Sequence, residues 1–152
     1  MYLTGSRGGH GRRGCLAENG QPMSQLIHGA LTQRILGCFF QVHRELGAGF
    51  LESVYAKSLL IALGDEGIRA KAEVPIDVYF RGTRVGAFRA DMIVESTVLL
   101  ELKAGIALDP CSQPQMLNYL RATRLEVGLI LYFGARATFK RFVMSNEHKL
   151  LP

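Results

Sequence analysis

A chain of 152 residues, 48% hydrophobic and 20% charged, is long enough to bury one domain core without staples, and this composition excludes a disordered chain. The formal charge is +5 at pH 7, but setting aside Arg7, Arg12, Arg13 and Glu18 of the first 22 residues leaves 15 basic against 12 acidic residues, or +3, so the body permits a polyanionic partner without demanding one. No apolar run approaches the roughly 20 residues that cross a bilayer. The N-terminal stretch lacks the apolar segment of a secretory signal, and Cys15, Cys38 and Cys111 follow neither disulfide nor metal spacing, so the expected setting is a reducing cytoplasm.

Residues 1–22 hold six glycines and three arginines with few large apolar side chains, so they are expected to form a disordered tail. Met23 stands as an alternative start, and residues 23–152 form the expected domain. From Ser24 the period becomes helical, with Leu26, Ile27, Leu31, Ile35, Cys38, Phe39 and Val42 on one stripe. Gly47 and Gly49 interrupt it, and a second helix is expected over residues 50–66, with Leu51, Val54, Leu59 and Leu63 inward and Gly67 as its left-handed stop. Glu52 falls in the first turn, where the helix dipole favours an acid.

Residues 68–80 alternate like a strand, and Pro75, which cannot donate to a ladder, argues for a sheet edge or a bulge. Two further β-rich runs, residues 83–94 and 98–104, flank the polar break Glu95-Ser96-Thr97 and read as a hairpin. Strand alternation puts Glu101 and Lys103 on one face and Val98, Leu100 and Leu102 on the other. A turn centred on Ser96 sets Asp91 across from Glu101 on the Lys103 face. Opposed side chains lie roughly 5 Å apart, and like charges there repel. A divalent ion such as Mg²⁺, which takes one or two carboxylates and keeps waters, would relieve the repulsion. The spacing admits equally an exposed face on which Lys103 pairs with its neighbours, and a turn one residue longer or shorter would separate the acids.

A third helix is expected over residues 112–123, with Gln115 and Tyr119 stacked on one face. Residues 127–133 form an apolar run of strand length, the mark of a strand covered on both sides, and a last strand is expected over 139–144. The order α-α-β-β-β-α-β-β implies an α/β domain with a mixed sheet and helices packed on it. No interleaving of aromatic and basic residues of the kind that stacks single strands stands out along the chain.

Gly49-Phe50-Leu51-Glu52-Ser53-Val54-Tyr55, Arg89-Ala90-Asp91, Glu101-Leu102-Lys103 and Gln115-Met116-Leu117-Asn118-Tyr119-Leu120, in that order, resemble the GxxExxY family within the PD-(D/E)XK nuclease superfamily. One departure is that Arg-Ala precedes Asp91 where the formal motif has proline. The resemblance implies a restriction-endonuclease-like core, α-β-β-β-α-β, and a Mg²⁺- or Mn²⁺-dependent hydrolase acting on nucleic acid. It assigns Asp91, Glu101 and the backbone carbonyl of Leu102 to the metal, and Lys103 to the attacking water and the phosphate. Glu52 would complete the metal shell through water, and Gln115 and Tyr119 would orient the lysine or touch the substrate. Arg89, Lys57, Arg121 and Arg124 are the candidates for phosphate contacts, which position without specifying sequence. The alternative is a catalytically inactive nucleic-acid-binding or assembly module on the same fold. The edge strand with Pro75, or the apolar first helix, is the candidate face for a homodimer.

Overall fold

The computed structural model describes residues 3–6, as backbone, together with 26–107 and 109–149. The elements are β1 (Leu3–Ser6), α1 (Gly29–Leu46), α2 (Glu52–Asp65), β2 (Ala70–Phe80), β3 (Thr83–Val94), β4 (Val98–Ala104), α3 (Ser112–Arg121), β5 (Val127–Phe133) and β6 (Ala137–Val143). They build a mixed sheet in the order β1-β6-β5-β4-β3-β2, in which β4 and β5 run parallel and the other neighbours antiparallel. This is the expected α/β architecture, with β2 on an edge as Pro75 required.

One expectation is overturned. Leu3–Ser6, assigned to a disordered tail, pairs with β6 in the register Leu3↔Arg141 to Ser6↔Thr138. Composition speaks only to side-chain burial, whereas an open sheet edge binds a strand through main-chain hydrogen bonds whatever its side chains. Residues 7–22 lie outside the described residues.

The two sheet faces have different cores. On one, α1 and α2 bury Ile35, Phe39, Tyr55, Leu59 and Leu63 against Leu100, Leu102, Leu129, Leu131 and Phe133. On the other, α3 lays Met116, Tyr119 and Leu120 over Leu99, Ile130 and Phe142. β5 serves both, which is why it reads as an unbroken apolar run. Gly128 lies beneath α3, where a Cβ would overlap the side chain of Met116.

α1 begins later than its apolar stripe. His28 sits in the left-handed region at the N-cap (φ 51°), and the buried Arg141 guanidinium donates to the carbonyl of Ile27 just before it. Leu51 is also not a core residue: it is the extended N-cap of α2 and 76% exposed. The preceding glycines, at φ 72° for Gly47 and 105° for Gly49, turn the chain so that Tyr55 goes inward instead. The Tyr55 ring is fully buried and stacks on Phe133 at 4.2 Å, while its hydroxyl donates to the Gly47 carbonyl (2.6 Å) and accepts from the Phe50 amide (3.3 Å). The tyrosine thus staples the loop that carries Phe50, Leu51 and Glu52.

Candidate active site

The β3–β4 hairpin has the register predicted from its sequence. Val94 pairs with Val98, Ile93 with Leu99 and Met92 with Leu100. The turn is closed by the Thr97 amide on the Val94 carbonyl (3.0 Å), with positive φ at both Glu95 and Ser96, the primed turn that suits strand twist.

Beyond Met92 the ladder stops at Asp91. The carboxylate Oδ2 of Asp91 accepts the Leu102 amide at 2.8 Å, so a side chain takes the place of a main-chain partner. On its other side the β2–β3 ladder omits the Glu73/Asp91 pair, and Glu73 is left-handed (φ 51°). Side-chain alternation shifts there: Phe88 and Ala90 pack toward α3, whereas Met92 and Val94 pack toward α1 and α2. The twist aims Asp91 between strands and swings the outer part of the β2–β3 hairpin over α3.

On β4, Leu99 belongs to the α3 core and Leu100 and Leu102 to the opposite one, so Glu101 and Lys103 face α3. Glu101 is 3% exposed and its Oε1 has no hydrogen-bond partner. Burial, and then the negative charge of Asp91, push its carboxyl up to about 8, against the pull of Lys103, whose Nζ stands 3.6 Å from Glu101 Oε2. Two acids at this spacing, one with a buried and unanswered oxygen, repel each other until a proton or a cation comes between them. The donor set is all oxygen, as hard divalent cations prefer, and it leaves room for waters. Asp91, Glu101 and the neighbouring Leu102 carbonyl therefore fit such an ion. Among the described residues no three His, Cys, Asp or Glu side chains gather at one point.

α3 supplies the opposite wall. The Gln115 amide donates to the Tyr119 hydroxyl, and Tyr119 lies flat on Phe88, ring centres 3.8 Å apart and planes 9° from parallel. Burial, then the charge of Glu101, and also that of Asp91 raise the Tyr119 phenol above its ordinary range, against Gln115 and Lys103. Glu101 and Lys103 are thus paired on the sheet face that α3 covers, Asp91 is tied to the strand between them at Leu102, and Gln115 and Tyr119 are paired on α3.

The remaining candidates are dispersed. Glu52 is exposed at the start of α2 and lines a separate cleft with Phe50, Leu51, Gly105 and Ile106; the structure does not bring it to the two acids. Lys57 is exposed on α2, in the layer across the sheet from α3. Arg89 lies exposed on β3, 3.5 Å from Glu73. Arg121 and Arg124 line a groove beside Gln115 and Tyr119 together with Tyr79, Phe88 and Asn118. This aromatic and basic combination escaped the sequence reading because its parts come from β2, β3 and the end of α3. The one available signal was Phe88, an aromatic residue near the start of the motif segment.

No helix among the described residues is long and apolar enough to cross a membrane. No curated protein matches the chain. Among solved structures it is similar to one titled "Crystal structure of SSO0001", at 16% identity and a TM-score of 0.44 over 78% of this chain and 80% of that one. The sequence model of the PD-(D/E)XK nucleases matches residues 29–142, the span that contains both helical layers, the hairpin with its two acids and lysine, and the glutamine and tyrosine of α3. The chain belongs to the PD-(D/E)XK nuclease superfamily.

Proposed function

We propose that the protein is a Mg²⁺- or Mn²⁺-dependent nuclease of the GxxExxY type that hydrolyses phosphodiester bonds in nucleic acid. The observation that carries this reading is the buried Glu101 carboxylate, unanswered at Oε1, beside Asp91 and Lys103 on one sheet face. A folded chain keeps such a repulsive, desolvated pair at a cost in stability, and a site that uses it gives the cost a reason. The loop of Gly49 to Tyr55, held by the Tyr55 hydroxyl, supports the family assignment as a structural signature.

Asp91 and Glu101, with the Leu102 carbonyl, would hold the ion. When bound, the ion offsets the charge of the acids and acts as a Lewis acid toward the phosphate and an attacking water. Lys103 is a quarter exposed, so its ammonium can reach from Glu101 to a non-bridging phosphate oxygen and stabilise the charge that grows there. Gln115 donates to the Tyr119 oxygen, which leaves the phenol proton free to be given in turn to the lysine's neighbours or to the substrate. Arg121 is placed to bind phosphate along the groove, as is Arg124, while Arg89 sits on the outer side of the hairpin beside Glu73. Lys57 and Glu52 are left outside this set.

Two measurements test the reading. Titration of Mg²⁺ or Mn²⁺ followed by calorimetry and thermal shift should show binding that is lost in Asp91→Ala; an intact protein that binds neither ion refutes the metal assignment. Incubation with plasmid, single-stranded DNA and RNA should show ion-dependent cleavage, and equal cleavage by Lys103→Ala would assign it to a contaminant.

A further inference from the structure

We propose that the groove between the β2–β3 hairpin and α3 binds a single-stranded segment of nucleic acid and leads it to the two acids. The inference rests on the nuclease reading for the chemistry at the end of the groove and adds the form of the substrate. The groove is lined by three aromatic rings, Tyr79, Phe88 and Tyr119, and by Asn118, Arg121 and Arg124. Flat apolar surface next to cations is what a strand with unpaired bases requires: the exposed Tyr79 ring, beside the stacked Phe88–Tyr119 pair, takes a base face and the guanidiniums take phosphates. A duplex keeps its bases stacked inside and offers a groove of this kind only phosphates, so its aromatic floor would go unused.

The charge balance of the groove agrees. Its one carboxylate, Asp77, is engaged by Arg84 of the same hairpin, Nε to Oδ1 at 2.7 Å. Arg121 donates to the neutral Asn118 side chain, and among the described residues neither Arg121 nor Arg124 is in an ion pair. Two cations therefore face the groove with no carboxylate partner. Tyr79 is 50% exposed, an aromatic face held open to solvent on a strand edge.

The groove also connects with the chemistry. Gln115 and Tyr119 belong to its wall, and α3, which carries them, packs on the sheet face from which Glu101 and Lys103 project. A strand held in the groove therefore lies on the same side of the sheet as Glu101 and Lys103. The amides that could read base edges, Gln115 and Asn118, are engaged with Tyr119 and Arg121, which predicts recognition of strand form more than of sequence. The sugar is not discriminated by these contacts, so unpaired DNA and RNA share the chemistry.

The test is fluorescence anisotropy on the full chain in EDTA, with labelled oligo-dT, oligo-U and a blunt duplex of equal length. The wild type should bind at least one of the single strands about tenfold or more tightly than the duplex. Tyr79→Ala should weaken single-strand binding by roughly 5- to 150-fold, the range of one lost base stack, and leave duplex binding nearly unchanged. Arg121→Ala/Arg124→Ala should lower the slope of log affinity against log salt by about 1.4 for two lost phosphate contacts. All three positions are exposed, so circular dichroism should show folded variants. Preference for the duplex, no binding to any strand, or indifference to Tyr79→Ala would each overturn the groove assignment. Cleavage with Mn²⁺, assayed separately, keeps the two readings apart. Selective binding without cleavage leaves the groove and removes the nuclease. Cleavage of single and double strands alike, unaffected by Tyr79→Ala, does the reverse.

Discussion

The two faces of the sheet are filled in opposite ways. Beneath α1 and α2 the contacts are mostly apolar, and Tyr55 has both a ring partner and hydrogen bonds for its hydroxyl, while Thr32 Oγ1 and Arg141 Nε are isolated exceptions without a hydrogen-bond partner among the described residues. Beneath α3 the same strands present a buried acid with an unanswered oxygen, a second acid that breaks the ladder, and a lysine at 3.6 Å. Both faces are made by neighbouring residues of the same strands, so the difference is not a matter of which segment is ordered. One face is closed mainly by apolar packing, and the other buries a carboxylate beside a second acid.

The comparison predicts that substitutions on the α3 face change activity more than stability, and those on the α1/α2 face the reverse. The largest expected effect is on activity: Lys103→Ala should lower cleavage by on the order of 10²- to 10⁴-fold with an unchanged melting curve, the usual range for a positioned proton-transfer or charge-stabilising group. A variant that lost activity only through unfolding would break the contrast. On the other face, Tyr55→Ala removes a fully buried ring stacked on Phe133 and should cost about 3–5 kcal/mol in urea unfolding, with activity lost only as the folded fraction falls.

Glu101 sharpens the contrast through pH. Its carboxyl is raised in the folded chain from the usual 4.5 to about 8, so it contributes stability that is fully present below about pH 4.5 and lost as pH rises through about 8. Glu101→Gln should therefore match the metal-free wild type near pH 4 and become more stable with rising pH, by on the order of 2 kcal/mol at pH 9, while losing ion binding. Urea midpoints in EDTA at both pH values decide it, and a pH-independent difference would show that the acid carries no such strain. The smallest effect belongs to Tyr55→Phe, which keeps the ring and removes the staple to Gly47 and Phe50. A loss of about 1–2 kcal/mol is expected, and a thermal melt measures it.

Much of this was legible in the chain because it depends on local rules. The polar break at Ser96 set the hairpin register, Pro75 marked the sheet edge, and the apolar run at 127–133 marked the strand covered on both sides. What escaped depends on partners far apart in sequence. β1 is held by main-chain bonding to β6, which leaves no side-chain pattern. The shift at Asp91 needs a left-handed Glu73, a conformation that no glycine advertises. The Phe88–Tyr119 stack joins β3 to α3 and exists only once the hairpin has swung across the helix. For Glu52 the difficulty was different: a helix-borne acid looks the same in sequence whichever layer its helix joins.

The missing side chain at Gly128 governs an elevation. With no methyl group between them, α3 settles onto β5 by the thickness of a single thioether, and the Tyr119 ring comes down with it onto Phe88. Adding one carbon there would force the Met116 thioether out of its seat between helix and sheet.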